Sequence, residues 1–99
     1  MLNVSKNIAN EKALVKLEGR LDTVTAPELE KELKEILDGA SELVMDFEKL
    51  EYISSAGLRV LLSAQKVMGR KGGMKVTGVN ETIMEIFEVT GFSDILTIE

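Results

Sequence analysis

Two adjacent serines, Ser54 and Ser55, are the side chains of this sequence best placed for chemistry. They follow the strand-like Tyr52-Ile53 and precede the helical pattern of Ala56-Gly57-Leu58-Arg59-Val60-Leu61-Leu62. In an open α/β sheet, ligands bind beyond the carboxyl ends of the strands. A helix start there offers free N–H groups and partial positive charge, which suit an anion such as a phosphate. Ser is also a preferred N-cap, so helix initiation alone accounts for one of the two hydroxyls. Asp22 lies in the loop after the preceding strand and is the carboxylate placed to approach the pair. Gly57, with no Cβ, would let a partner's backbone come close.

The rest of the composition narrows the chemistry. The chain has no Cys and no His. That removes thiolate nucleophiles, disulfides, imidazole and thiolate metal sites, and the Ser-His-Asp arrangement. No catalytic residue is assigned. Asp46, Glu48 and Glu51 are near enough in sequence for a carboxylate cation site, but a solvated loop accounts for them, and neither a metal nor a cofactor is expected. Gly69-Arg70-Lys71-Gly72-Gly73 is basic and glycine-rich but lacks the Walker spacing. It reads as a helix stop plus turn, with Arg70 and Lys71 at the negative end of the preceding helix. Twelve basic against seventeen acidic residues give a net charge of −5, which argues against nucleic acid or an anionic membrane as a partner. No apolar run approaches the ~18 residues of a membrane span. Met1 to Lys6 lacks the apolar core of a signal peptide, so a cytoplasmic location is expected.

The elements that must position the serines follow one another with short gaps in a chain whose length suits one domain, 1–99. Asn3 to Ala9 reads as an edge strand, Asn10-Glu11 as a tight turn, and Ala13 to Glu18 as a strand with Ala13, Val15 and Leu17 on one side. Gly19 is expected to end that strand, with Arg20, Leu21 and Asp22 in a loop. Thr25-Ala26-Pro27-Glu28 has the form of a capping box with Thr25 as N-cap. Leu29, Leu33, Ile36 and Leu37 make the apolar stripe of the helix that follows, and Gly39 stops it. Leu43 to Phe47 is a nearly continuous apolar run typical of a central parallel strand, expected to lead into a loop that carries the serines. A helix over Ala56 to Met68, a strand over Met74 to Thr77, a helix over Glu81 to Thr90 between Asn80 and Gly91, and a strand over Ile95 to Ile98 complete the order β-β-α-β-α-β-α-β. The fold class is α/β, a mixed sheet with an N-terminal hairpin followed by parallel β-α units. If neighbouring strands stay neighbours, right-handed crossovers put the helices mainly on one face. Lys12, Lys16, Lys75 and Thr77, at alternate positions, suit the opposite, half-solvated face. The apolar arc of the second helix is wider than one core face needs. Either that helix is central, flanked by both others, or its Val60 edge is partly exposed as a docking patch near Ser55.

Tyr52-Ile53-Ser54-Ser55-Ala56-Gly57-Leu58 resembles the signature of the bacterial anti-sigma factor antagonists, members of the STAS domain family. Gly19-Arg20-Leu21-Asp22, followed by Thr25-Ala26, is similar to the second landmark of that family, and the resemblance covers essentially the whole chain. It implies a STAS-like fold. Aligned on Gly57-Leu58, the phosphorylated serine of the family falls on Ser55, and Ser54, the alternative acceptor, stands where an Asp is usual. Many members carry a further C-terminal helix, which in a chain stopping at Glu99 is missing or vestigial.

The function implied by the resemblance is that of a binding switch and not an enzyme. The unphosphorylated chain would bind an anti-sigma factor and free a sigma factor. The anti-sigma factor, itself a serine kinase, would phosphorylate Ser55 from ATP and weaken the complex, and a serine phosphatase would reset it. Asp22, Ser54, Ala56, Gly57 and Val60 would form the contact surface. Ser54 in place of Asp motivates a second reading, a STAS scaffold or complex subunit without a phospho-switch. A third, a small nucleotide-binding protein using the strand-end crevice, is opposed by the absence of a glycine loop and of histidine.

Overall fold

A computed structural model describes residues 2–99. Strands β1 (Leu2–Ala9) and β2 (Lys12–Leu21) form an antiparallel hairpin with Leu2 opposite Gly19 and Ala9 opposite Lys12. Asn10 and Glu11 turn the chain with φ of 53° and 66°, the doubly left-handed geometry whose twist matches a two-residue hairpin. Helix α1 (Ala26–Gly39), strand β3 (Glu42–Ile53), helix α2 (Ser55–Met68), strand β4 (Met74–Thr77), helix α3 (Glu81–Thr90), a short helix α4 (Phe92–Ile95) and strand β5 (Thr97–Ile98) follow. The sheet order is β1-β2-β3-β4-β5, parallel from β2 onward.

Each strand pairs with its sequence neighbour, so successive right-handed crossovers all turn to the same side. One face of the sheet is accordingly dry. Ala13, Val15 and Leu17 of β2, Leu43, Met45 and Phe47 of β3, and Met74 and Val76 of β4 are buried there. They meet Leu29, Leu33 and Ile36 of α1, Leu58 and Leu61 of α2, and Ile83 and Phe87 of α3 in one cluster. The rings of Phe47 and Phe87 lie 6.4 Å apart in a tilted pair, a favourable aromatic geometry. On the other face Lys12, Lys16 and Lys75 are exposed, and Leu14 and Val44 are half-buried.

Four local expectations are corrected. First, β2 does not end at Gly19 and β3 does not end at Phe47. Both run on to Leu21 and Ile53, so no loop precedes the serines beyond Ser54 itself. The register jumps from Lys16↔Asp46 to Glu18↔Lys49, and again from Gly19↔Leu50 to Arg20↔Tyr52. Each jump leaves one extra residue on β3, as a bulge does. The buried residues Phe47, Leu50 and Ile53 are therefore spaced by three, a rhythm that reads as loop. Second, Thr25 has helical φ and ψ (−91°, −20°) and its side chain makes no cap bond, so the capping box does not form. Third, the segment before Ile98 is helical through Ile95, and only Thr97 and Ile98 pair as strand. Fourth, although the Lys71 N–H donates to the Met68 carbonyl at 2.9 Å, the Lys71 side chain does not sit on the carbonyls of α2. Its ammonium donates to the carbonyl oxygens of Leu37 and Ala40, the latter at 3.1 Å, and so closes the end of α1.

Candidate functional site

The turn from β3 into α2 is one residue long. Ser54 is extended (φ −101°, ψ 176°), and its hydroxyl accepts from the Gly57 N–H at 3.5 Å, which makes it the N-cap. Its own N–H donates to the Leu21 carbonyl at 2.9 Å and ties together the ends of β2 and β3. Ser55, the first residue of α2, is exposed. The two serines thus divide the work: one starts the helix and the other presents its hydroxyl. Since the cap bond is at the long limit of hydrogen bonding, Ser54→Ala should cost only about 0.5 kcal/mol, the low end for a cap. Urea unfolding at neutral pH measures this, and a loss above about 2 kcal/mol would mean that Ser54 does more than cap.

Asp22 lies at the other end of the Leu21–Ser54 link. Its carboxylate accepts from the N–H groups of Val24 at 3.0 Å and Thr25 at 3.1 Å. The Thr25 hydroxyl, buried, donates to the Arg20 carbonyl at 2.8 Å and accepts from the Asp22 N–H at 2.9 Å. The Asp22 carbonyl accepts from Ala26 N–H at 2.8 Å. Asp22 and Thr25 together make the entry to α1, in place of the capping box. Asp22 thus helps to build the fold as well as reaching the surface.

The N–H of Thr25, with its hydroxyl and the N–H of Val24, holds the Asp22 carboxyl below the ordinary carboxylate range. A carboxyl depressed in the folded state stabilises the fold above the unfolded value of about 3.9 and loses that contribution as pH falls through the folded value. Melting temperatures of the native chain and of Asp22→Asn should therefore differ by a constant amount above about pH 5 and approach each other as pH falls below the unfolded value. Parallel curves over that range would show that the carboxylate charge does not matter.

Gly57 is buried, and a Cβ built on it would lie 2.7 Å from Leu21 Cγ and 2.8 Å from Ile53 Cγ1. The close approach that requires glycine here is internal, between α2 and the ends of β2 and β3, and not to a partner's backbone. Val60 is also corrected as a partly exposed edge. It is only 6% exposed, in the seam between α1 and α2. Ala56 is half-buried beside it. Of the five residues expected to form a contact surface, Asp22, Ser54 and Ala56 reach the surface, around the exposed Ser55, while Gly57 and Val60 support it from below.

Four further residues sit at the same end of the molecule. Val24, at the tip of the Asp22–Thr25 turn, is 79% exposed. The Arg20 guanidinium lies over the Tyr52 ring, 4.6 Å from its centre, within cation–π range. Arg59 is exposed one turn along α2 from Ser55 and lines a shallow groove with Thr23, Pro27 and Glu30. The signal for the Arg20–Tyr52 pair was in the sequence, since each residue precedes a buried member of its motif, Leu21 or Ile53. Without the bulges on β3 the two could not be put in register. Among the described residues, no group of three or more His, Cys, Asp or Glu side chains is placed to hold a metal ion.

Comparison with known proteins supports the fold and gives the family. A family model described as "Mlab, STAS domain" matches residues 4–97. The chain is 30% identical over 97 residues to the anti-sigma-B factor antagonist of Staphylococcus aureus (strain NCTC 8325 / PS 47), covering 96% of this chain and 90% of that one. The crystal structure of an anti-sigma factor antagonist from Mycobacterium paratuberculosis superposes with a TM-score of 0.90 at 23% identity, over 99% of this chain and 85% of that one. SpoIIAA of Bacillus in its phosphorylated form superposes with a TM-score of 0.75 at 15% identity, over 100% of this chain and 91% of that one. These two solved structures share its fold. With the family model spanning nearly all of the sequence, the chain belongs to the STAS domain family of bacterial anti-sigma factor antagonists.

Proposed function

We propose that this chain is a phosphorylation-controlled binding switch that antagonises an anti-sigma factor, and that Ser55 is its phosphate acceptor. The observation that carries the reading is the division between the serines: Ser54 caps α2, while Ser55 is exposed at the first position of the helix. The name of the Staphylococcus relative supports the choice of partner.

In the unmodified state, Asp22, Ser54, Ser55 and Ala56 offer a small polar surface to the anti-sigma factor. The partner, a serine kinase, then transfers the γ-phosphoryl group of ATP. The Ser55 oxygen bonds to phosphorus, the bridge to ADP breaks, and the hydroxyl proton leaves through a base of the kinase. A charge of about −1.5 to −2 now stands where the complex had closed, and the antagonist is released until a serine phosphatase removes the group by hydrolysis. On this reading the chain is a substrate and a ligand, not an enzyme, and has no cofactor of its own. It acts in the cytoplasm without nucleic acid. No helix among the described residues is long and apolar enough to cross a membrane.

The test is incubation with ATP and the cognate kinase, followed by intact mass and by assignment of the modified residue. A gain of one phosphate on Ser55 supports the reading. A second reading, a STAS scaffold or complex subunit with no phospho-switch, is motivated by Ser54, which stands where the resemblance to the family signature implies Asp. An unmodified mass in the presence of an active kinase would establish that alternative.

A further inference from the structure

We propose that Arg59 is the internal counter-ion of a phosphate on Ser55, an inference that rests on the acceptor reading above. Ser55 and Arg59 are four residues apart on α2, both exposed, so they are neighbours on one face of the helix. Helical side chains lean toward the N-terminus, which directs Arg59 back over the turn that Ser55 begins. An acidic group four residues before a basic one is also the favourable order on a helix.

Among the described residues, the guanidinium of Arg59 has no ion pair or side-chain hydrogen bond. The ion pairs within 4.0 Å among the described residues are made by Lys6, Lys12, Lys34 and Lys75. Arg20, the other arginine of this region, is stacked on Tyr52. The acidic group that lines the same groove as Arg59 is Glu30 of α1, which is paired with Lys34; the Asp22 carboxylate is taken up by Val24 and Thr25. A serine hydroxyl gives Arg59 nothing to hold. A phosphate gives it three acceptor oxygens and a charge that a planar guanidinium matches with two parallel hydrogen bonds.

The pairing changes what the modification does to the surface. Phosphate is drawn along α2 across Ala56, and Arg59 is withdrawn from the mouth of the groove. One event thus adds an anion at Ser55 and draws a cation out of the groove toward it.

Phosphoserine incorporated at position 55 during synthesis gives the modified chain without a kinase. Its second ionisation is followed by phosphorus NMR. The midpoint should be lower in the native background than in Arg59→Gln by about half a pH unit. Arg59→Lys should keep part of that shift. Lys66→Gln, which removes the same charge two turns further along α2, should leave the midpoint unchanged. Equal midpoints in the native background and in Arg59→Gln would overturn the pairing and say nothing against Ser55 as acceptor. Failure of the unmodified chain to take phosphate from an active kinase would overturn the acceptor reading and leave the phosphorus result standing.

Discussion

Ser55→Ala should take up almost no phosphate from ATP and the cognate kinase, yet still bind the anti-sigma factor. The hydroxyl is the whole of the acceptor, so its removal abolishes transfer. In binding it contributes at most one hydrogen bond at an exposed position, about 0.5–1.5 kcal/mol, and in stability less, because Ser54 is the cap. Ser55→Asp should weaken binding by placing a permanent charge in the contact surface. It should do so less than phosphate, which carries more charge and three acceptor oxygens. Ser54→Ala should still accept phosphate. Mass spectrometry of the three variants, with partner affinity by calorimetry, separates these outcomes. Phosphate on Ser54 that persists in Ser55→Ala would move the acceptor by one residue.

Gly57→Val should be the most damaging single change near the site while touching no partner directly. A Cβ alone would stand 2.7 Å from Leu21 Cγ and 2.8 Å from Ile53 Cγ1. Both side chains are at most 1% exposed and have nowhere to go. Two further methyl groups add to the overlap, so a cost of about 3 kcal/mol, the top of the usual range for overpacking, is expected. For a chain this size that lowers the melting temperature by roughly 12–24 °C. Gly57→Ala should fall between, since a gain of up to ~1 kcal/mol in helix propensity offsets part of the clash. Relief of the clash requires α2 to move away from Leu21 and Ile53, carrying Ser54 and Ser55 with it. Partner binding should therefore fall in Gly57→Val even below its melting transition. Unchanged stability in that variant would mean that α2 does not need this close approach.

Much of the fold was legible because its elements obey simple periods. The hairpin followed from alternation on either side of Asn10-Glu11, and α1 and α3 from apolar stripes with clear ends. The one-sided sheet followed from the order of elements and the lysines at alternate strand positions. What stayed hidden has a common cause in pairing between distant residues. The two bulges on β3 exist only in register with β2, so a period of three across Phe47, Leu50 and Ile53 looked like irregular chain. Thr25 matched a local capping pattern, but its hydroxyl found the Arg20 carbonyl instead. Lys71 followed the same logic when it reached the end of a different helix. At the site, the serines were evident from residue type and position. The internal role of Gly57 was not, because only the folded chain brings Leu21 beneath it.

The sheet is very uneven in length. β2 and β3 have 10 and 12 residues, whereas β4 has 4 and β5 only 2, joined to β4 by the pairs Lys75↔Thr97 and Val76↔Ile98. Cooperativity need not be uniform in such a molecule, since weakly tied segments open with a smaller free energy than the core. The edge at β5 can fray and re-form while β2 and β3 stay closed, with α1 and α2 packed across them. Ser55 and its surroundings hang from that long central pair, and so are insulated from the most labile edge of the sheet. A partner arriving at the strand ends meets a surface already set, and little ordering entropy remains to be lost there on binding.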